Sequence, residues 1–142
     1  MLFMLDTDIA SYIIKGLSPK AETRLAAIEP SRVCISVITR AELLYGLKRL
    51  PRTHRLHTGV REFLKIVRTL SWDAEAAEFY AEIRHQLSTS GQPIGELDMM
   101  IAAHSLAATA VLVTNNTRHY KPISAPLMLE NWSESGVSRK PH

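Results

Sequence analysis

Four separated segments of this chain place a side chain suited to acid, base or metal chemistry beside a short apolar run. Asp6 ends the run Leu2 to Leu5, and Glu42 follows Val33 to Ile35. Asp98 opens an apolar stretch after Gly95, and Thr114-Asn115-Asn116 directly follows Ala110 to Val113. If those runs are parallel strands, their carboxyl ends share one edge, where open parallel sheets bind ligands. Three carboxylates and a carboxamide would then meet. Such acids repel, and one takes up a proton unless a cation neutralises them. Oxygen-only donors suit Mg²⁺ or Mn²⁺ better than zinc. Mg²⁺ keeps several waters and is held by one or two carboxylates plus substrate phosphate. An ion there acidifies water and stabilises charge on a phosphodiester under attack. The chemistry expected is phosphodiester hydrolysis, with Asp6 and Asp98 ligating the ion directly. Glu42 would hold or orient a water, and Asn116 would complete the shell.

Each residue also has a local reading. Thr39-Arg40-Ala41-Glu42 is an S/T-x-x-E capping box, with Thr39 opening a helix and Glu42 in its first turn; on local sequence this is the stronger reading. Asp6 could close an Asx turn at a strand end. Asp98 could cap its helix near Gly95. Against that, Met99 to Ala103 follow it without a polar break, so the helix around Asp98 should be inaccessible to solvent. A buried charge needs a partner or a metal.

The elements that must position these groups follow from periodicity. Leu2 to Leu5 and Val33 to Ile35 read as strands buried on both faces. Ile9, Ile13 and Ile14 make a short helix stopped by Gly16. Ser18-Pro19 starts a second helix, with Ala21, Leu25 and Ile28 inward and an end near Pro30. Leu43, Leu47 and Leu50 share the stripe of a third helix, broken by Pro51. Leu56, Val60, Phe63, Leu64 and Val67 mark a fourth. A short strand is expected within 67–72. A long helix follows from Asp73 with Ala76, Ile83 and Leu87 inward, and 90–93 is expected to turn. Leu97 to Ala108 is apolar nearly all round, the pattern of a buried helix. Ala110 to Val113 is a further strand, and 122–132 holds a last one. Strands alternating with helices indicate a parallel sheet covered on both sides. The fold class expected is α/β, a three-layer α/β/α domain over residues 1–132 with a short central parallel sheet. Residues 133–142 lack periodicity and are expected to fray as a flexible tail.

Composition narrows the function classes. At 142 residues the chain matches one domain, and 46% hydrophobic with 22% charged residues excludes a disordered or low-complexity polymer. The single Cys34 rules out an intrachain disulfide and fits a reducing, cytoplasmic compartment. No apolar run reaches the ~18 residues of a membrane span, and the short apolar start lacks a basic flank, so a soluble protein without a membrane role is expected. Seventeen Lys and Arg against 14 Asp and Glu give +3, compatible with a polyanionic partner.

At these residues the sequence resembles the PIN-domain ribonucleases, and more narrowly the VapC-type toxins of bacterial toxin–antitoxin pairs. The likeness runs through Met4-Leu5-Asp6-Thr7-Asp8, Ile35-Ser36 with Thr39-x-Ala41-Glu42-Leu43, Gly95-x-Leu97-Asp98-x-Met100-Ile101-Ala102-Ala103-His104, and Val113-Thr114-Asn115-Asn116-Thr117-Arg118. It implies a PIN-like fold and a Mg²⁺- or Mn²⁺-dependent endoribonuclease acting on RNA, tRNA in some relatives. It also implies a homodimer, inhibited by a VapB-type antitoxin. The family's acidic positions carry over to Asp6, Glu42 and Asp98, with Asn116 where many members have a fourth acid. His119 stands where others carry Asp or Glu, and Tyr120 where they carry Phe; ligation of a second ion at 119 is therefore not implied.

Other residues stand beside these. Asp8 either meets the substrate or the metal's waters, or caps the Ile9 helix. Thr114 and Asn115 are expected to line the substrate site, with turn formation as the alternative for Thr114. His104 on the buried helix reads as a hydrogen-bonded structural residue. Arg40, Arg49, Arg52, Arg55 and Arg61 could follow phosphates or simply face solvent. Trp72 and Trp132 read as packing residues. Two rivals stay open. Asp6-Thr7-Asp8 also resembles the start of haloacid-dehalogenase-type phosphatases, with Asp6 as nucleophile. The other is a non-catalytic module that grips RNA or protein, its acids serving as caps.

Overall fold

Apolar runs this short cannot stand alone, and each needs strands on its flanks and helices over its faces. The computed structural model describes residues 1–92 and 94–133. In it β1 (Leu2–Leu5), β2 (Val33–Ser36), β3 (Arg68–Leu70), β4 (Ala110–Thr114) and β5 (Leu129–Asn131) form one parallel sheet, ordered β3-β2-β1-β4-β5. Six helices connect them: α1 (Thr7–Lys15), α2 (Pro19–Ala26), α3 (Val37–Lys48), α4 (Leu56–Ile66), α5 (Ala74–Ser90) and α6 (Glu96–Ala107).

Side chains alternate across a strand, so each run feeds both faces. Phe3, Leu5, Val33, Ile35, Val111 and Val113 pack with residues of α1 to α4. From the opposite face, Leu112 packs with Ile83, Leu87, Met99 and Ile101 to Ala103 of α5 and α6. Met4 and Cys34 are fully buried there too, beside Ala110. Burial pushes the Cys34 thiol up to about 12, so it behaves as a small hydrophobe. The three-layer expectation therefore holds for the described residues.

The strand order has a functional consequence. From β1 the chain moves outward to β2 and β3, then returns past β1 to β4 and β5. Right-handed crossovers place the helices of the two movements on opposite faces. The order reverses between β1 and β4, and a crevice opens there at the carboxyl edge. Asp6 follows β1 at that edge, its amide donating to the Val113 carbonyl at 2.8 Å.

Local chemistry sets several boundaries. Gly16 adopts φ 72° and ends α1, as a residue without Cβ can at little cost. Ser18 caps α2 through Ala21 N–H, and Asp73 caps α5 through Ala76 N–H. Helix α5 runs through Ser90, so its stop is Gly91 at φ 67°, one residue into the expected turn. Pro93 and the expected tail from 134 onward lie outside the described residues, while Ser133 lies within them.

Two expectations are corrected. Helix α3 begins at Val37 with Ser36 as its cap, not at Thr39, because the Ser36 hydroxyl accepts from Ile38 N–H at 3.1 Å. Glu42 is consequently past the first turn and closes no capping box. In α6, burial starts at Met99; Leu97 is 45% exposed and Asp98 only half-buried, so solvent does reach the helix start. His104 is the structural residue expected. Its Nδ1 lies 2.7 Å from the Ser36 hydroxyl, and burial lowers its pKa.

Ser36 thus caps α3 and satisfies His104 in one place. Ser36→Ala should lower the unfolding free energy by about 2–3 kcal/mol in urea denaturation, combining a lost cap with an unpaired buried nitrogen. A loss below about 0.5 kcal/mol would remove this junction as the hold on α3.

Candidate active site at the carboxyl edge of the sheet

Asp6 is 3% exposed, and both its oxygens are engaged. Oδ1 accepts from Ile9 N–H at 2.9 Å, capping α1, while Oδ2 accepts from the Tyr120 hydroxyl at 3.1 Å. The Asx-turn reading was therefore half of the answer: Asp6 is a helix cap that faces the crevice. Burial raises its pKa to about 6, opposed by hydrogen bonds from Ile9, Thr114 and Tyr120 and aided by the Asp8 charge.

Glu42 reaches across from α3 to α1. Its Oε1 accepts from the Thr7 hydroxyl at 2.5 Å, and that hydroxyl lies 3.1 Å from the Thr39 hydroxyl. Thr7 and Thr39 thus fix the Glu42 rotamer from the neighbouring helix and from the preceding turn of its own. Burial raises the Glu42 pKa, the Thr7 bond opposes this, and the charges of Asp98 and Asp8 add to it. Glu42 thus feels the charge of Asp98, 56 positions further along the chain, as well as that of Asp8.

Asp98 arrives from α6. Gly95 precedes that helix without any side-chain cap, so the Asp98 carboxylate is not spent on capping. Its Oδ2 instead meets His119 Nε2 at 2.8 Å. His119 and Tyr120 belong to one 3₁₀ turn, Thr117–Tyr120, which follows β4. Their rings meet edge-on with centroids 5.1 Å apart. One short turn therefore holds two acids, His119 on Asp98 and Tyr120 on Asp6. Burial and the facing Asp6 and Asp98 charges push the Tyr120 phenol upward, which keeps it a proton donor.

The remaining expected residues divide. Asp8 is exposed and borders, with Thr7 and Glu42, a cleft of about 360 Å³ between α1, α3 and α4; it does not cap α1. Thr114 lies beneath the site rather than on its wall. It is 1% exposed, and its hydroxyl accepts from Asn116 N–H at 3.0 Å. Asn115 is half-buried, its carbonyl accepting from the Asn131 side chain at 3.2 Å. Asn116 is exposed at the start of the 3₁₀ turn, and its carbonyl accepts from His119 N–H at 3.2 Å. The site residues that sequence reasoning left out are Thr7, Thr39 and Tyr120. Tyr120 carried a readable signal, a hydroxyl where the resemblance has Phe. Thr7 and Thr39 carried none, since their contact depends on how α1 packs on α3. Trp72 and Trp132 are packing residues: Trp132 is 1% exposed against Phe3, and Trp72 Nε1 donates to the Met100 carbonyl at 3.0 Å.

Residues 3–122 match the PIN domain family. The tRNA(fMet)-specific endonuclease VapC of Shigella flexneri is 34% identical over 131 residues, covering 92% of this chain and 98% of that protein. Ribonuclease VapC2 of Rickettsia felis is 33% identical over 135 residues, 94% of this chain and all of that protein. Among solved structures, VapBC2 from Rickettsia felis bound to a promoter DNA fragment superposes with a TM-score of 0.85 at 33% identity, covering 93% of this chain and 99% of that one. DNA-bound VapBC from Salmonella typhimurium gives a TM-score of 0.85 at 36% identity, with the same coverage. The chain belongs to the PIN-domain family. Within that family, its relatives are the VapC ribonucleases.

The Asp6 environment predicts a pH dependence of folding. Its folded value of about 6 exceeds the ordinary 3.8, so ionising it opposes folding. The benefit of the protonated form is complete below about pH 4 and is lost as pH rises through 6. Metal-free wild type should lose up to about 3 kcal/mol between those limits relative to Asp6→Asn, which has nothing to titrate. Parallel pH–stability curves for the two proteins in chelator would contradict the buried carboxylate.

Proposed function

We propose that this chain is an endoribonuclease that cleaves RNA phosphodiester bonds with the help of a divalent cation. In this reading it is the toxin of a type II toxin–antitoxin system, held in check in the cytoplasm by a VapB-type antitoxin. What supports it most is that adjacent residues of one turn, Tyr120 and His119, hold Asp6 and Asp98, with Glu42 within reach of the Asp98 charge, in a chain 34% identical over 131 residues to a tRNA(fMet)-specific endonuclease. That relative's name makes tRNA the substrate to try first, and the VapBC neighbours make an antitoxin the partner to seek.

The donor chemistry fits Mg²⁺ or Mn²⁺. Asp6, Glu42 and Asp98 offer only oxygen, and among the described residues no lysine or arginine pairs with them. Asp6 and Glu42 both pay for proximity and burial with raised pKa values, which a hard cation would relieve. Among the described residues no three His, Cys, Asp or Glu side chains enclose a ready-made cage. An open site held by one or two carboxylates and water is how Mg²⁺ commonly binds.

Asp6 and Asp98 would hold the ion, which when bound supplies charge stabilisation for the phosphate and a more acidic water. The chain's own residues do the positioning. Tyr120 and the start of α1 hold Asp6 in one rotamer, and His119 holds Asp98. Thr7 keeps one Glu42 oxygen occupied, leaving the other to orient a water towards the phosphorus. Asn116, exposed at the rim, offers a carboxamide to a phosphate oxygen or an ion-bound water. The phosphatase reading fares worse. The resemblance to such phosphatases calls for paired acids after a later strand, and here β4 is followed by Asn115 and Asn116.

Asp98→Asn should keep the fold and lower RNA cleavage at least a thousandfold, read on labelled tRNA with Mg²⁺. Wild type in chelator should match the variant and recover when Mn²⁺ is added. Full cleavage by Asp98→Asn, or by wild type in chelator, would end the assignment.

A further inference from the structure

The positive charge of this chain is concentrated in one hairpin. Residues 37–66, which span α3, α4 and their connection, hold seven Lys and Arg against two Glu, a local +5 in a chain of +3. Lys65 pairs with Glu62 at 3.0 Å; among the described residues Lys48, Arg49, Arg52 and Arg61 pair with no carboxylate. Lys48, Arg52 and Arg61 surround a cleft of about 570 Å³ together with Leu44, Leu47 and His57. His57 Nε2 is buried in this neighbourhood and, among the described residues, has no hydrogen-bond partner. Three cations without a carboxylate partner around one cleft give it a positive potential that favours an anion.

The way from this cleft to the acids is also furnished. Tyr45 stands three residues after Glu42, on the same side of α3, and is 64% exposed. Arg49, one turn further on, lies 5.9 Å over its ring. Lys48 follows Glu42 by six residues, a rise of about 9 Å along the helix and within the reach of a few nucleotides. An exposed aromatic between an acid site and a row of cations suits a base stacked on the ring with its phosphates on the cations. An acidic peptide would use the cations but has no need of the ring.

We propose that this α3–α4 face is the docking track for the RNA strand beyond the scissile bond, with Tyr45 stacking a base and Lys48, Arg52 and Arg61 gripping backbone phosphates. The proposal rests on the ribonuclease reading and adds where the substrate lies. It makes selection of long over short RNA a property of a surface remote from the acids.

The test is binding of a fluorescein-labelled RNA stem-loop to the full chain, by anisotropy in chelator across a salt series. Arg52→Glu/Arg61→Glu should weaken binding at least tenfold and flatten the plot of log affinity against log salt by about 1.4, as expected for two lost contacts to a single strand. Tyr45→Ala should weaken binding about tenfold with the salt slope unchanged. Lys20→Glu, an equal type of charge change on α2, should do neither. With Mg²⁺ the double variant should raise KM for the stem-loop while leaving cleavage of a dinucleotide intact. Unchanged affinity and slope in the double variant, with the stem-loop still cleaved, would overturn the track and spare the nuclease; no cleavage of the stem-loop or of tRNA by wild type with Mg²⁺ would overturn the nuclease reading itself. Unchanged RNA binding with lost binding of poly-glutamate would reassign the face to an acidic protein, and a smaller species in size-exclusion chromatography would reassign it to a subunit contact.

Discussion

The fold concentrates negative charge where it has the least solvent to spare. Asp6 must sit at the reversal point between β1 and β4, because it ends the central strand, and there it is nearly sealed from water. Burying a carboxylate without hydrogen bonds is prohibitive. The Ile9 amide and the Tyr120 hydroxyl supply them, and each comes from an element that the carboxylate in turn secures. The start of α1 is held by its cap, and the 3₁₀ turn after β4 is held by a buried phenol. Asp6 thus ties the central strand to both sides of the crevice.

The other two acids are positioned by the same economy. Each is reached by a group from a different element: Glu42 by Thr7 of α1, Asp98 by His119 of the 3₁₀ turn. A shift of α1 would disturb Asp6 and Glu42 together, and a shift of the turn would disturb Asp6 and Asp98. The cluster is therefore one mechanical unit, although its parts come from four stretches of sequence. Burial raises the values of Asp6 and Glu42, and among the described residues no Lys or Arg pairs with either.

Much of this was legible in the residues. Short apolar runs closed by Asp6, Ser36 and Thr114 announced strand ends, and strand ends in a parallel sheet share an edge. The layers followed from the alternation of such runs with amphipathic stretches. What misled was local chemistry. Thr39-x-x-Glu42 satisfies a capping box, yet Ser36 lies at the strand end and takes the cap first, being also the partner of buried His104. The apolar run after Asp98 suggested burial for the whole helix, but the first turn of α6 rises out of the core before Met99 enters it. Tyr120 showed only a hydroxyl in place of a Phe ring, and its partner, Asp6, is 114 positions away in the chain. Contacts between helices, such as Thr7 to Glu42, leave no trace in spacing at all.

The central claim is that Asp6 and Asp98 share one divalent cation. Anomalous diffraction from crystals soaked in Mn²⁺ tests it most directly. The account predicts a single strong peak within coordination distance of both carboxylates, lost in Asp98→Asn crystals. Peaks confined to other surfaces of the molecule, with the crevice between β1 and β4 empty, would contradict it.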